Sequence, residues 1–256
     1  MKFLNFVRAT PQAAIMAQID LKYARIYIED GYAGPGGTPL VNHMSGYMSG
    51  ATTMIVDGFV GAVAVFDRFT VAGDDVIHVI SAHTETTGNT TSITFSPALG
   101  ASVADDAAIT MLPHQIEVTL GEGNLSYTEK RAMEYKLDRG LLSNVRRADE
   151  EPVEVQMDFQ WEEVTAVTND PPTPVEALKK IGAAAAWVSA GADPCEDYAV
   201  NLKIVYTPPC DDEDEIETTL LSEFRYEQLD FSAKDGTISV SGKCNITQAT
   251  VTRGAA

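Results

Sequence analysis

Basic residues are scarce in this chain: 18 Lys and Arg stand against 37 Asp and Glu, a formal net charge of -19 over 256 residues. Affinity for a phosphate backbone comes from cations that displace counterions, so this composition excludes adhesive binding to duplex DNA. Net charge bears on solubility and association rather than on fold. Cysteine is nearly absent too. Cys195, Cys210 and Cys244 are an odd set without CxxC spacing, which gives no zinc or disulfide framework and reads as reduced thiols. If YAVNLKIVYT is one strand, its ends lie about 33 Å apart at ~3.3 Å per residue, so Cys195 and Cys210 cannot bond to each other. Long apolar runs are missing as well. MKFLNFVRATPQAA is broken by Asn5 and Arg8, too weak for a signal peptide or a membrane helix. The chain is expected to be made in the cytosol and to have no membrane partner.

Signatures of catalysis and cofactor binding are equally thin. His78 and His83 are five apart, so on a straight strand they point to opposite faces and share a metal poorly. Ser45, Ser49 and Ser241 sit beside glycines, yet no complete G-x-S-x-G appears, and nucleophilic catalysis has no support. GPGG at 34–37 and GEGN at 121–124 lack a following helix with a phosphate-binding Lys, which excludes a nucleotide loop. The run Asp211, Asp212, Glu213, Asp214, Glu215 offers the oxygens that hard cations want. It lacks the glycine and the spaced bidentate Glu of an EF-hand loop, and contiguous acids repel; a solvated loop between strands is the plainer reading. No enzyme activity, cofactor or metal is expected.

What the chain does have is period-two alternation. Hydrophobic residues make up 45% of it, enough for a globular core in one large or two modest domains. In VEVQMDFQW, residues 153–161, Val153, Val155, Met157, Phe159 and Trp161 fall on one face and Glu154, Gln156, Asp158 and Gln160 on the other, the pattern of an antiparallel strand with one wet side. Ile116, Val118 and Leu120 alternate likewise, followed by Leu125 and Tyr127 across GEGN, which reads as a hairpin. Met133, Tyr135 and Leu137 make a further strand, as do Val200, Leu202, Ile204 and Tyr206, and then Ile238 and Val240 with Cys244. Residues 216–231 change phase from even to odd, which predicts a bulge near Glu227. Thr173-Pro174-Val175-Glu176 is a capping box with Pro at the first helical position; Val175, Leu178 and Ile181 continue at helical spacing and Gly182 ends it. That helix, near 174–182, is expected to cover the sheet, with Trp187 nearby.

The N-terminal part differs. Residues 19–29 read as one strand, and GYAGPGGTP then breaks regular structure. Short Thr- and Val-rich strands with little charge follow, reading as a small barrel or sandwich at 46–112 inserted into a main domain formed by 1–45 and 113–256. The fold class is mainly β, an antiparallel β-sandwich flanked by one α-helix, plus the inserted β-domain.

The connection DRGLLSNVRRADEEP, residues 138–152, reads as a long irregular loop. Such loops are usually functional or disordered. It carries Leu141, Leu142 and Val145 together with Arg139, Arg146 and Arg147, side chains suited to a protein contact. The alternative is a loop folded back on its own sandwich.

Four stretches carry a family likeness. QIEVTLGEGNLSYTEKRAMEYKLDRGLL, the unit ending in VEVQMDFQWEEV, the helix PVEALKKIG and the closing DFSAKDGTISVSGKCN resemble the tail tube (major tail) proteins of long-tailed bacteriophages. The insert, from SGATTMIVDGFVGAVAVFDRFTVAG to NTTSITFSPALGASVADDAAITML, is similar to small β-domains that recur in phage head and tail proteins. The likeness lies in element order and phrasing rather than in a diagnostic motif. It implies hexameric rings whose inner sheets join into one barrel, stacked into a tube in the virion. The 138–152 segment and the N-terminal arm are then candidates for contact between rings, and the insert projects outward. Implied partners are further copies of the chain, a tape-measure protein, tail tip and terminator proteins, and double-stranded DNA in passage. Asp211 to Glu215 become candidates for the lumen or the outer surface.

Two other function classes compete. A virion-surface or secreted binding module would recognise a carbohydrate or receptor through aromatics of the insert such as Phe59, Phe66 and Phe69, residues that more often belong to a core. A metal-dependent hydrolase would use the 211–215 acids.

Overall fold

The alternating segments fold as antiparallel strands. The computed structural model describes residues 23–86, 90–120, 124–139, 141–161, 171–207 and 216–254. After β1 (Ala24–Glu29) come β2 (Gly37–Val41), β3 (Thr53–Phe59), β4 (Arg68–Val71), β5 (Asp74–Thr86), β6 (Thr90–Ser96) and β7 (Ile109–Leu112). The chain continues through β8 (Gln115–Val118), β9 (Leu125–Thr128), β10 (Met133–Asp138), β11 (Leu141–Arg147) and β12 (Val153–Gln160). Helix α1 (Pro174–Lys179) precedes β13 (Val200–Tyr206), β14 (Glu217–Ser232), β15 (Thr237–Cys244) and β16 (Thr250–Arg253). The N-terminal arm and the 211–215 acids lie outside the described residues, as does Cys210.

The larger sheet has the order β8-β1-β13-β14-β15-β12-β9, with β16 paired to the start of β14. It nearly closes on itself because its two outer strands are consecutive in the chain. Gln160 N donates to the Thr119 carbonyl at 2.9 Å and Asp158 N to that of Asn124 at 2.8 Å, so one length of chain borders β1 at its start and β12 at its end. The hairpin expected across GEGN is therefore not formed: β8 pairs with β1, and β9 with β12. Splitting the partners brings the two sides of the sheet together and turns Ile116, Val118 and Leu125 toward one core.

That core contains Ile28, Phe159, Leu202, Leu221 and Phe224, all essentially inaccessible, each contributing roughly 1.5–3 kcal/mol by leaving water. The phase change in β14 is a bulge at Glu227, where the register to β15 shifts between Tyr226 and Gln228. Helix α1 has the expected capping box, Glu176 N donating to Thr173 Oγ1 and Thr173 N to Glu176 Oε2. It stops earlier than Gly182, at Lys180 in a left-handed conformation with φ 54°. Ile181 consequently leaves the helical face and is exposed, and Ala177 joins Leu178 in the core.

The smaller sheet, β2-β3-β6-β5-β4-β7, closes through a bridge from Leu40 to Ala108. It begins at residue 37, ahead of the expected 46. GPGGTP reads as a breaker, yet Pro39 is accommodated where the β2 register shifts between Gly37 and Leu40, a position at which a missing N–H does not cost a ladder bond. Phe59, Phe69 and Phe95 fill its interior. His78 is buried there, its Nδ1 2.8 Å from the Pro97 carbonyl. Strand β5 is not straight, because its register to β6 shifts between Ile80 and Ala82, so His83 pairs with Ile93 on the same face instead of the opposite one and is exposed.

Candidate assembly surface

The segment 138–152 is not an irregular loop. Its first half is β11, which pairs with β10 in a separate two-stranded sheet. Alternation is hidden in LLSNVRR because the register shifts by one between Lys136 and Leu137, so that Leu137 faces Leu142 and Tyr135 faces Val145. Paired residues share a face. Met133, Tyr135, Leu137, Leu142 and Val145 thus form an apolar strip, and Glu134, Lys136 and Asn144 lie on the other face with Arg146 and Leu141.

This hairpin stands off the body. Every residue of β10 is exposed, and Leu137 and Leu142 keep 67% and 61% of their accessible surface. An isolated two-stranded hairpin is marginal in water, and a contiguous exposed apolar strip marks an interaction site. The hairpin is also locally basic. Lys136, Arg139, Arg146 and Arg147 outnumber Glu134 and Asp138, a net charge of +2 within a chain of -19. All six contact candidates therefore lie on one hairpin, Leu142 and Val145 with Arg147 on the apolar side, Leu141 and Arg146 opposite, and Arg139 at the tip with φ 50°.

The wet side of the larger sheet has an ordered composition. Across β9, β12, β15 and β14 the register sets Ser126, Gln156, Ser241 and Gln228 in one row. Asp158, Ser239 and Asp230 form the next, then Gln160, Thr237 and Ser232. Within these four strands cations enter only in the row nearest the hairpin, where Lys243 lies between Glu154 and Arg225; Arg25 and Lys203 lie on the β1 and β13 part of the sheet. The second half of β14 pairs with β15 on one side; among the described residues no strand pairs with its other side.

A buried cluster joins the two sheets where the chain passes between them. Asp30, just after β1, and Asp67, before β4, are both fully buried. His114, between β7 and β8, lies between them, Nδ1 2.8 Å from Asp30 Oδ2 and Nε2 2.9 Å from Asp67 Oδ1. Asp30 also accepts from the backbone N–H groups of Tyr32, His114 and Val188. Asp67 accepts from Tyr32 Oη at 3.1 Å and Ala64 N at 2.8 Å. Tyr32 stacks on the imidazole at 4.4 Å, and Trp187 lies parallel at 6.1 Å on the ring. Burial pulls the His114 pKa down, but the two carboxylates outweigh it and raise the value to about 9. Burial, and then the Asp67 charge, drives the Tyr32 phenol upward. With both ring nitrogens engaged, the imidazolium has no lone pair to act as a base. The cluster is a tie between sheets.

Sequence reasoning missed this tie, because its members are separated by 84 and 47 positions and have no local pattern. Among the described residues no group of His, Cys, Asp or Glu could hold a metal ion. No helix among them is long and apolar enough to cross a membrane. No family model, curated protein or solved structure matches the chain.

Proposed function

We propose that this chain is a self-assembling structural subunit of a phage tail tube, forming stacked hexameric rings around a lumen that conducts double-stranded DNA. The observation that carries this reading is the β10–β11 hairpin, an apolar-faced, basic arm standing off an acidic body. A surface of that kind fits another copy of the same chain: its strip needs burial, and its net positive charge meets the negative remainder. The unpaired side of β14 supports the same reading, since an open edge accepts a strand from a neighbour.

The rows of Ser, Thr, Gln and Asp on β12, β15 and β14 suit the lumen wall. Hydroxyls and amides offer no fixed positive charge to phosphate, and the carboxylates repel it. Six copies of a chain carrying -19 give a passage that surrounds DNA without holding it. In this reading the chain acts in the virion after assembly in the host cytoplasm, around a tape-measure protein and capped by tip and terminator proteins. The test is electron microscopy of the purified chain beside a variant with Leu141, Leu142 and Val145 changed to Ser. Rings or tubes from the first and folded monomers from the second are expected; identical assembly of both would remove the hairpin from the account.

A further inference from the structure

The hairpin requires a receiving surface, and the far end of the same sheet offers one. Trp161 and Phe231 are half exposed and meet edge to face, centroids 5.5 Å apart. With Phe159, Pro174, Val175 and Ile238 they line an open apolar cleft of about 240 Å³. Lys179 Nζ stands 5.2 Å over the Phe231 ring. Asp230 lies on the opposite face of β14, in the row with Ser239 and Asp158, and Lys234 and Asp235 are exposed in the turn that follows.

Strand β12 fixes how cleft and hairpin are related. The base of the hairpin lies at its first end, where Lys130 pairs with Glu154 at 2.8 Å and Ala148 N donates to the Ala132 carbonyl. The cleft lies at its last end, where Trp161 N donates to the Gly236 carbonyl at 2.8 Å. The strand has 8 residues, a separation of about 26 Å at ~3.3 Å per residue. Because the hairpin stands off its own body, it does not occupy its own cleft. A contact between the two surfaces therefore joins different copies head to tail, the arrangement that repeats into rings or open filaments.

We propose that the apolar strip of the β10–β11 hairpin seats in the Trp161–Phe231 cleft of a second copy of this chain. This rests on the self-assembly reading and names the receiving surface for it. Tyr135, Leu137, Leu142 and Val145 supply the apolar material, and a buried aromatic pair is the usual energetic centre of such an interface. The overall charges agree: the hairpin carries a net +2, and the remainder of the chain -21.

The test uses two full-length variants that each lose one half of the contact. Leu142→Asp leaves the cleft intact, and Phe231→Asp leaves the hairpin intact. Sedimentation velocity is expected to show each alone as a monomer with a wild-type melting temperature, and their mixture as a dimer of twice the mass. Trp161→Ser replaces Phe231→Asp if the latter shifts the melting temperature. A mixture that stays monomeric while the wild type assembles overturns the cleft and leaves self-assembly standing. A cleft variant that assembles alone like the wild type overturns it equally. A wild-type chain that never assembles removes both.

Discussion

His114 Nε2 lies 2.9 Å from Asp67 Oδ1, linking a residue at the entrance of the larger sheet to one in the smaller. Since Nδ1 binds Asp30 at the same time, one imidazolium holds both units at the crossing. Removing a partner from a buried ion pair costs about 3–5 kcal/mol, because the remaining charges are left uncompensated. His114→Ala is expected to lose stability on that scale in urea unfolding. The pH dependence has a definite sign. The folded pKa of about 9 lies above the ordinary 6.5, so the stabilisation is complete below about 6.5 and is lost as pH rises through 9. Melting temperatures between pH 6 and 10 should fall more steeply for wild type than for His114→Ala; parallel curves would contradict the tie.

In the proposed assembly the hairpin separates folding from self-association. Leu142→Asp and Val145→Ser alter exposed positions, where substitutions change stability by about 0.5 kcal/mol or less, so the folded chain should survive both while polymer formation fails. Leu141 lies on the charged face and Leu142 on the apolar one. Pelleting assays on single Ser variants are expected to rank Leu142 well above Leu141; an equal effect of the two would contradict the facial assignment.

Thr173 caps a helix of only 6 residues, too short to persist on propensity alone. Thr173→Ala removes the bonds of the Thr173 hydroxyl, accepted from Glu176 N and donated to Glu176 Oε2, and should cost about 1 kcal/mol, read as a lower urea midpoint with an unchanged slope. A neutral outcome would mean that Leu178 and Ala177 hold the helix in place without the cap.

The thiols differ in reach. Cys195 is exposed, whereas burial pushes the Cys244 thiol up to about 12, and the thiolate is the reacting species. Iodoacetamide at pH 8 should label Cys195 in the native chain and leave Cys244 unmodified until denaturant is added. Equal labelling rates, followed by mass spectrometry, would show that the β15 core opens readily.

Strand patterning was legible because burial on one side of a sheet imposes a period of two, which VEVQMDFQW displays directly. The Glu227 bulge and the Thr173 cap were legible for the same reason, since each is a local rule written in adjacent residues. The partners of β8 and β9 were not, because sheet closure is decided by Val118 meeting Ile26 and Leu125 meeting Met157, far away in sequence. The one-residue shift opposite Leu137 disguised β11 as a loop. The candidate contact residues within it stand out by their chemistry, aliphatics and arginines together, and the structure puts them on one hairpin. Asp30, Asp67 and His114 gave no signal at all, each being an ordinary polar residue until the fold sets them side by side.

Self-assembly is tested most directly by electron microscopy of the purified wild-type chain over a rising concentration series. Hexameric rings and hollow tubes are the expected result. A monomer that persists at every concentration, with and without tail initiator proteins, would contradict the tube.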